Sequence, residues 1–177
     1  MTKAQLDLLV LAWQQGRPEA FPLLYRFYHK KLRLFAGYLS GNPAIAEDLV
    51  QNVWCKMSRR IHRLDDPRVF SSWLYKAVRW EVLDFQKSAG QQGHVPLDEE
   101  KHQEFLLAQT NAEHCALHQA MAALPAAEQL LLQLYYFHQL ELVEIALILN
   151  IALGTVKSRL HRARQQLKQQ FTLDNEE

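Results

Sequence analysis

The sequence predicts an all-α chain of two small helical domains joined by a flexible linker, and three observations carry that reading. Apolar residues recur at the three-to-four-residue spacing of helix faces along most of the chain. Strand signals, short runs that alternate apolar and polar residues, are nearly absent. Both helical stretches stop at a polar segment near residues 89–112, where the sign of the charge also changes.

Taken in order, Leu6, Leu9, Val10 and Trp13 mark a first helix that stops at Gly16 and Pro18. Phe21, Leu24, Tyr25, Tyr28, Leu32, Phe35 and Leu39 mark a second, closed by Ser40-Gly41-Asn42-Pro43. Pro43 suits the first turn of a third helix, whose inward stripe is Ala46, Leu49/Val50, Val53/Trp54, Met57 and Ile61. Leu64-Asp65-Asp66-Pro67 punctuates its end, and a fourth helix runs from about Arg68 to Ser88 with Phe70, Leu74, Ala77/Val78 and Phe85 inward. Four helices with short connections make a four-helix bundle over residues 1–88.

Residues 89–112 read as the linker, rich in Gly, Gln and acids but able to hold a short helix near Phe105-Leu106-Leu107. Helices then follow over His114–Leu124, from Pro125 to about Phe137, and over about Leu142–Leu149. After a turn at Asn150 comes IALGTVKSRLHRARQQL, in which Val156, Leu160, Ala163 and Leu167 share one face. The other faces carry Lys157, Ser158, Arg159, His161, Arg162 and Arg164, with no acid among them. A short helix, a tight turn and a longer basic helix form a helix-turn-helix, whose second member normally enters the major groove. This second domain is a four-helix unit over residues 113–171, followed by an acidic tail at 172–177.

The net charge of +1 hides a strong pattern. Residues 1–87 carry +6, residues 88–150 carry −7, residues 151–168 carry +5, and the tail carries −3. Two basic blocks separated by an acidic one fit a protein that meets a polyanion at two places. Cys55 and Cys115 stand alone, as reduced thiols of a cytosolic protein do. The N-terminal stretch is amphipathic and interrupted by Asp7, so neither a signal peptide nor membrane insertion is expected, and the expected location is the cytoplasm. His114, Cys115 and His118 do not close a zinc site, because two ligands are too few and His114 and Cys115 do not share a face. No phosphate loop, nucleophile motif or oriented carboxylate pair appears, so neither a cofactor nor an enzymatic activity is expected.

Two stretches together resemble a known family. Ala46-Glu47-Asp48-Leu49-Val50-Gln51, with the later Phe70-Ser71-Ser72-Trp73-Leu74-Tyr75-Lys76-Ala77-Val78-Arg79, is similar to the second conserved region of bacterial sigma factors. Leu124-Pro125, Glu144-Ile145-Ala146 and Gly154-Thr155-Val156-Lys157-Ser158-Arg159-Leu160 are similar to the fourth. Having these two regions alone resembles the extracytoplasmic-function class. The resemblance implies a protein that binds core RNA polymerase, takes it to promoter DNA and starts transcription. In many such proteins an anti-sigma protein at the membrane holds the factor inactive.

The resemblance also implies roles for individual residues. Asp48, Leu49, Gln51 and Asn52 fall where the family meets the polymerase clamp, although an exposed helix face of this composition is also what solvent alone selects. The loop from about Arg63 to Val69 falls where the family captures a flipped base of the −10 element. Arg63, Arg68, Ser72, Lys76, Arg79, Trp80 and Lys87 are the −10 candidates, with Trp73 and Tyr75 interleaved; cations beside flat rings suit single-strand capture. Trp73 suits a core position equally well. Trp80 departs from the family, which usually has Asn after the Arg at 79.

Thr155, Lys157, Ser158, Arg159, His161 and Arg162 fall where the family reads the −35 element; Arg can fork onto guanine, while Lys and Ser more often hold phosphate. Arg164 and Lys168 lie further along, toward backbone or solvent. Glu141 and Ala152 replace the usual hydroxyl residues, and Asn150 replaces the usual turn Gly. Leu142, Val143 and Leu147 add apolar surface that suits a partner-covered face or deeper packing.

Two other readings fit parts of the sequence. A dimeric response-regulator-like helix-turn-helix protein would leave the aromatic-basic first domain unexplained. A helical module that sequesters a protein would bind its partner independently of salt.

Overall fold

The computed structural model describes residues 1–91 and 120–173, and the chain divides into two units, 1–102 and 103–177. The linker, the start of the helix expected from His114, and the residues His114, Cys115 and His118 lie outside the described residues, as does the end of the acidic tail. The described residues are helical, with no strand among them.

In the first unit, α1 (Lys3–Gln14), α2 (Ala20–Ser40), α3 (Pro43–Arg60) and α4 (Phe70–Gln91) form the bundle. Thr2 caps α1, its hydroxyl accepting from the Gln5 amide while the Gln5 side chain accepts from the Thr2 amide. Gly41 takes the left-handed conformation that closes α2, with φ 64°, and Asn42 Oδ1 accepts the Ala44 amide at 3.0 Å to open α3 behind Pro43. The α2 helix runs through the middle, packed on α1, α3 and α4. Leu24, Leu32 and Phe35 on α2, Val50 on α3, and Phe70, Leu74 and Val78 on α4 are all but sealed from water. Each such side chain contributes about 1.5–3 kcal/mol by its burial.

Aromatic rings knit the four helices. Phe21 meets Trp13 at 5.0 Å and Trp54 edge-on at 5.7 Å, while Tyr28 and Trp13 both approach Phe70. The expected α3 ends at Arg60, slightly early; Ile61–Arg63 and Pro67–Val69 are single 3₁₀ turns within the connection to α4. The α4 helix itself runs three residues past the expected Ser88.

In the second unit, residues 120–122 end a helix, followed by α5 (Ala126–Leu132), a π turn over Gln133–Phe137, α6 (Leu142–Leu149) and α7 (Leu153–Leu173). Leu131, Leu132, Leu134, Ile145, Ile148, Val156 and Ala163 form its core. The Gln129 amide donates to the carbonyls of Ala122 and Leu124, tying α5 to the helix before it.

Candidate nucleic-acid and polymerase interfaces

The outer face of α3 presents Asp48, Gln51, Asn52, Lys56 and Arg59, all exposed. Leu49 is only 5 % exposed, so this candidate is a core residue and offers no partner a surface. It falls inside with the rest of the inward stripe of α3, which α2 and α4 cover, and the polymerase role implied by the resemblance does not fit that place. Glu47, next to Asp48, is engaged across the bundle, accepting from His29 at 3.1 Å with Arg33 at 3.8 Å.

The loop from Ile61 to Val69 is braced from behind. Gln14 on α1 donates to the carbonyls of Ile61 (3.0 Å) and Leu64 (2.6 Å), fixing the segment that carries Arg63 and Arg68. Arg63 is exposed and points no charge into the core. Arg68 is exposed but held by Asp66: its Nε donates to both carboxylate oxygens at 3.0 Å, and a terminal nitrogen adds a bond at 2.8 Å. These bonds hold the Asp66 carboxyl below its usual range and raise the Arg68 guanidinium above its own. A guanidinium has five N–H donors, so Arg68 keeps donors for a phosphate after binding Asp66.

On α4, Lys76 and Arg79 are half-buried, and Lys87 and Trp80 are exposed. Ser72 is 3 % exposed, and its hydroxyl is buried with no hydrogen-bond partner, which removes it from the surface candidates. Tyr75 is likewise core, 1 % exposed and packed at a tilt on Phe35 with ring centroids 5.2 Å apart, so it has no face to offer a base. Trp73 is half-buried along the wall of a groove between α3 and α4, which Trp80 also lines.

In the second unit, α6 and α7 form the expected helix-turn-helix. Asn150 sits at φ 55°, ψ 47° between them, the left-handed conformation that Asn tolerates. At the start of α6, the Glu144 carboxylate accepts the Glu141 amide at 2.9 Å, so the unusual Glu141 still opens a well-closed helix. Ala152 is the last residue before α7 and has no side chain able to cap it. Val156, Leu160 and Ala163 pack inward, leaving Lys157, Ser158, His161 and Arg162 exposed and Thr155 and Arg159 half-buried. The Ser158 hydroxyl donates to the Thr155 carbonyl at 3.1 Å, so toward DNA it is left to accept. Six of six candidates thus share the side of α7 away from the core or its margin.

Comparison with known proteins places this geometry. A model of sigma-70 region 2 matches residues 24–91, and a model of sigma-70 region 4 matches residues 116–167, so the two together take in more than half of the chain in the expected order. The chain belongs to the sigma-70 family, in its extracytoplasmic-function class.

Its relatives among characterised sigma factors include SigW of Bacillus subtilis (strain 168), 29% identical over 89% of this chain and 92% of the relative. SigF of Caulobacter vibrioides (strain NA1000 / CB15N) is 26% identical over 96% of each chain. Among solved structures, CnrH in complex with the cytosolic domain of CnrY has a TM-score of 0.69 at 16% identity, covering 96% of this chain and 98% of that one. The sigma factor RpoE bound to the anti-sigma factor NepR, from Bartonella quintana, has a TM-score of 0.65 at 23% identity, covering 87% and 98%. Both likenesses are in fold. The chain is a transcription initiation factor, and no described helix is long and apolar enough to cross a membrane.

Sequence reasoning about this sigma factor missed the side chains that hold the surfaces in place. Gln14 has no charge or motif to mark it, and its role depends on where α1 ends in space. Arg164 does not see backbone or open solvent alone: its Nε donates to the Tyr136 hydroxyl at 2.8 Å, and its guanidinium lies over both Tyr135 and Tyr136. That contact pins the π turn to the basic helix. Val143 and Leu147 are 54 % and 44 % exposed, so the extra apolar surface of α6 does face outward, while Leu142 is half-buried.

Proposed function

We propose that this sigma factor divides promoter recognition between its two units. Residues 1–88 hold core RNA polymerase through Asp48, Gln51 and Asn52, and melt and read the −10 element through Arg63, Arg68, Lys76, Arg79, Trp80 and Lys87. Residues 113–171 read the −35 element through Thr155, Lys157, Ser158, Arg159, His161 and Arg162, with 89–112 as the link and 172–177 as a tail. The observation that carries this is the pairing of two cationic faces of different kinds. One sits beside indoles and a braced loop, which suits single strands; the other lies on the second helix of a helix-turn-helix, which suits duplex. The factor has no catalytic activity of its own and works in the cytoplasm, because the polymerase it joins supplies the chemistry.

An anti-sigma protein is its regulatory partner in this reading, supported by the likeness in fold to RpoE, which was solved with an anti-sigma factor. The outward Val143 and Leu147 offer it an apolar footing. Holoenzyme assembly tests the polymerase half of the reading. Core polymerase is titrated with the labelled full chain, alone and as Asp48→Arg plus Gln51→Arg. Tight wild-type binding, weakened at least tenfold by the pair, supports it; a wild type that ignores core polymerase defeats it.

A further inference from the structure

We propose that Gln14, the last residue of α1, is a positioning residue for base selection by the loop at 61–69. It acts without touching DNA, by setting the shape of the arch that does. The inference rests on the reading of residues 1–88 as the −10 domain, and it adds the residue on which the selectivity of that domain depends.

Ile61 and Leu64 are the two feet of the arch. Their side chains are buried, while His62 and Arg63 between them are exposed. The Leu64 amide donates to the Ile61 carbonyl at 3.2 Å and closes the turn. Nε2 of Gln14 then donates to both feet at once, at 3.0 Å to the Ile61 carbonyl and 2.6 Å to the Leu64 carbonyl. A side-chain amide has two N–H donors, so these bonds use both. They reach across 47 and 50 residues of sequence, so the arch is tied to a separate helix and not to its own neighbours.

The donor is itself well held. Gly16 turns left-handed at φ 80°, and the Arg17 amide donates back to the Ala12 carbonyl at 3.0 Å, which closes the last turn of α1. Trp13 packs edge-on to Phe70, at the start of α4, with ring centroids 6.1 Å apart. Asp7 lies seven residues before Gln14, on the same face of α1 and about 10.5 Å back along it. The Arg68 guanidinium, raised first by Asp66, is raised also by the Asp7 carboxylate. The α1 helix packs on both 3₁₀ turns of the loop, so it runs alongside as a rail that holds the loop near each end.

This arrangement bears on selectivity more than on affinity. Carbonyls bonded to Gln14 are withheld from an entering base. Released, they become acceptors for the amino group of adenine, cytosine or guanine alike. A group that reads a base must also be held within about 0.5 Å of its productive place. Long cationic side chains that hold phosphate tolerate more movement and carry no sequence information.

The test uses holoenzyme made from the full chain and core polymerase. It is offered fork DNA whose duplex part fixes the register and whose single-stranded part is randomised, and the bound strands are sequenced. Total DNA binding, affinity for core polymerase and the melting temperature of the chain are measured alongside. Gln14→Glu keeps the shape of the side chain, but its carboxylate cannot donate. Its base preference at one position should fall by about tenfold, within what a small misplacement costs. Total binding and core affinity should move less than about twofold, because the phosphate contacts remain. Gln14→Lys, which can donate again, should recover most of the preference. Leu32→Val, a buried change on α2, should lower the melting temperature and leave the preference intact.

Three results overturn the proposal. Unchanged preference with Gln14→Glu makes the loop independent of α1. A matching fall in total binding and in preference at every position makes Gln14 a residue of general affinity. A loss of preference with Leu32→Val as large as that with Gln14→Glu, at the same melting temperature, makes it a residue of stability alone. A wild-type chain that assembles with core polymerase yet selects no base is a different failure, that of the −10 reading itself, and the role of Gln14 falls with it.

Discussion

Arg68 and Asp66 illustrate how a charged surface is built one side chain at a time. The Asp66 carboxylate accepts the Arg68 amide at 2.9 Å, which opens the 3₁₀ turn at Pro67, and it also takes the guanidinium. One carboxylate thus orders both the backbone and the cation of the loop. Because the Asp66 carboxyl is held below its usual range, its contribution is fully present above the ordinary carboxylate pKa and is lost as pH falls through the lowered value. The Arg68 Nε–H signal in a pH titration by NMR should therefore stay distinct from free arginine at neutral pH. It should merge with free arginine only below about pH 4. A signal that is already averaged at pH 7 would show that Arg68 is not fixed by its neighbour.

At the scale of elements, the two ends of the helix-turn-helix differ in how well they are closed. The α6 helix opens on the Glu144-to-Glu141 bond and ends on a left-handed Asn150, whereas α7 opens on Ala152 with no side-chain acceptor. Ala152→Ser supplies that acceptor at an exposed position, and thermal unfolding should show a gain of about 0.5–2 kcal/mol. No gain, or a loss, would mean that the first amides of α7 are already satisfied. Helix positions, the αL turn and the basic face of α7 were all legible in the sequence, because they follow from spacing and from the preference of single residues. The burial of Ser72 and Tyr75 was not, whereas Leu49 already stood on the inward stripe of α3. The stripe Phe70, Leu74, Val78 marks one face of α4, but α4 meets α2, α3 and the turn at Pro67–Val69, so its buried arc extends past that stripe. The π turn at Gln133–Phe137 also left no mark, since it is a backbone choice that seats Tyr136 against Arg164.

At the scale of the molecule, the proposed function depends on two grips of different character. The proposed −35 grip is electrostatic in large part, so removing cations from α7 should change how binding responds to salt. Holoenzyme carrying Arg159→Ala plus Arg162→Ala should bind promoter duplex more weakly, with the slope of log affinity against log salt reduced by about 1–2. A weaker affinity with an unchanged slope would mean that these arginines act by packing and not by meeting phosphate.

The measurement that bears most directly on the whole account is run-off transcription. Core polymerase of the source organism is given the purified chain and a pool of that organism's promoter fragments. The account expects defined transcripts that require the chain, start at discrete positions, and disappear with the Arg159→Ala plus Arg162→Ala variant. Active core polymerase that produces no chain-dependent transcript from any fragment would contradict it.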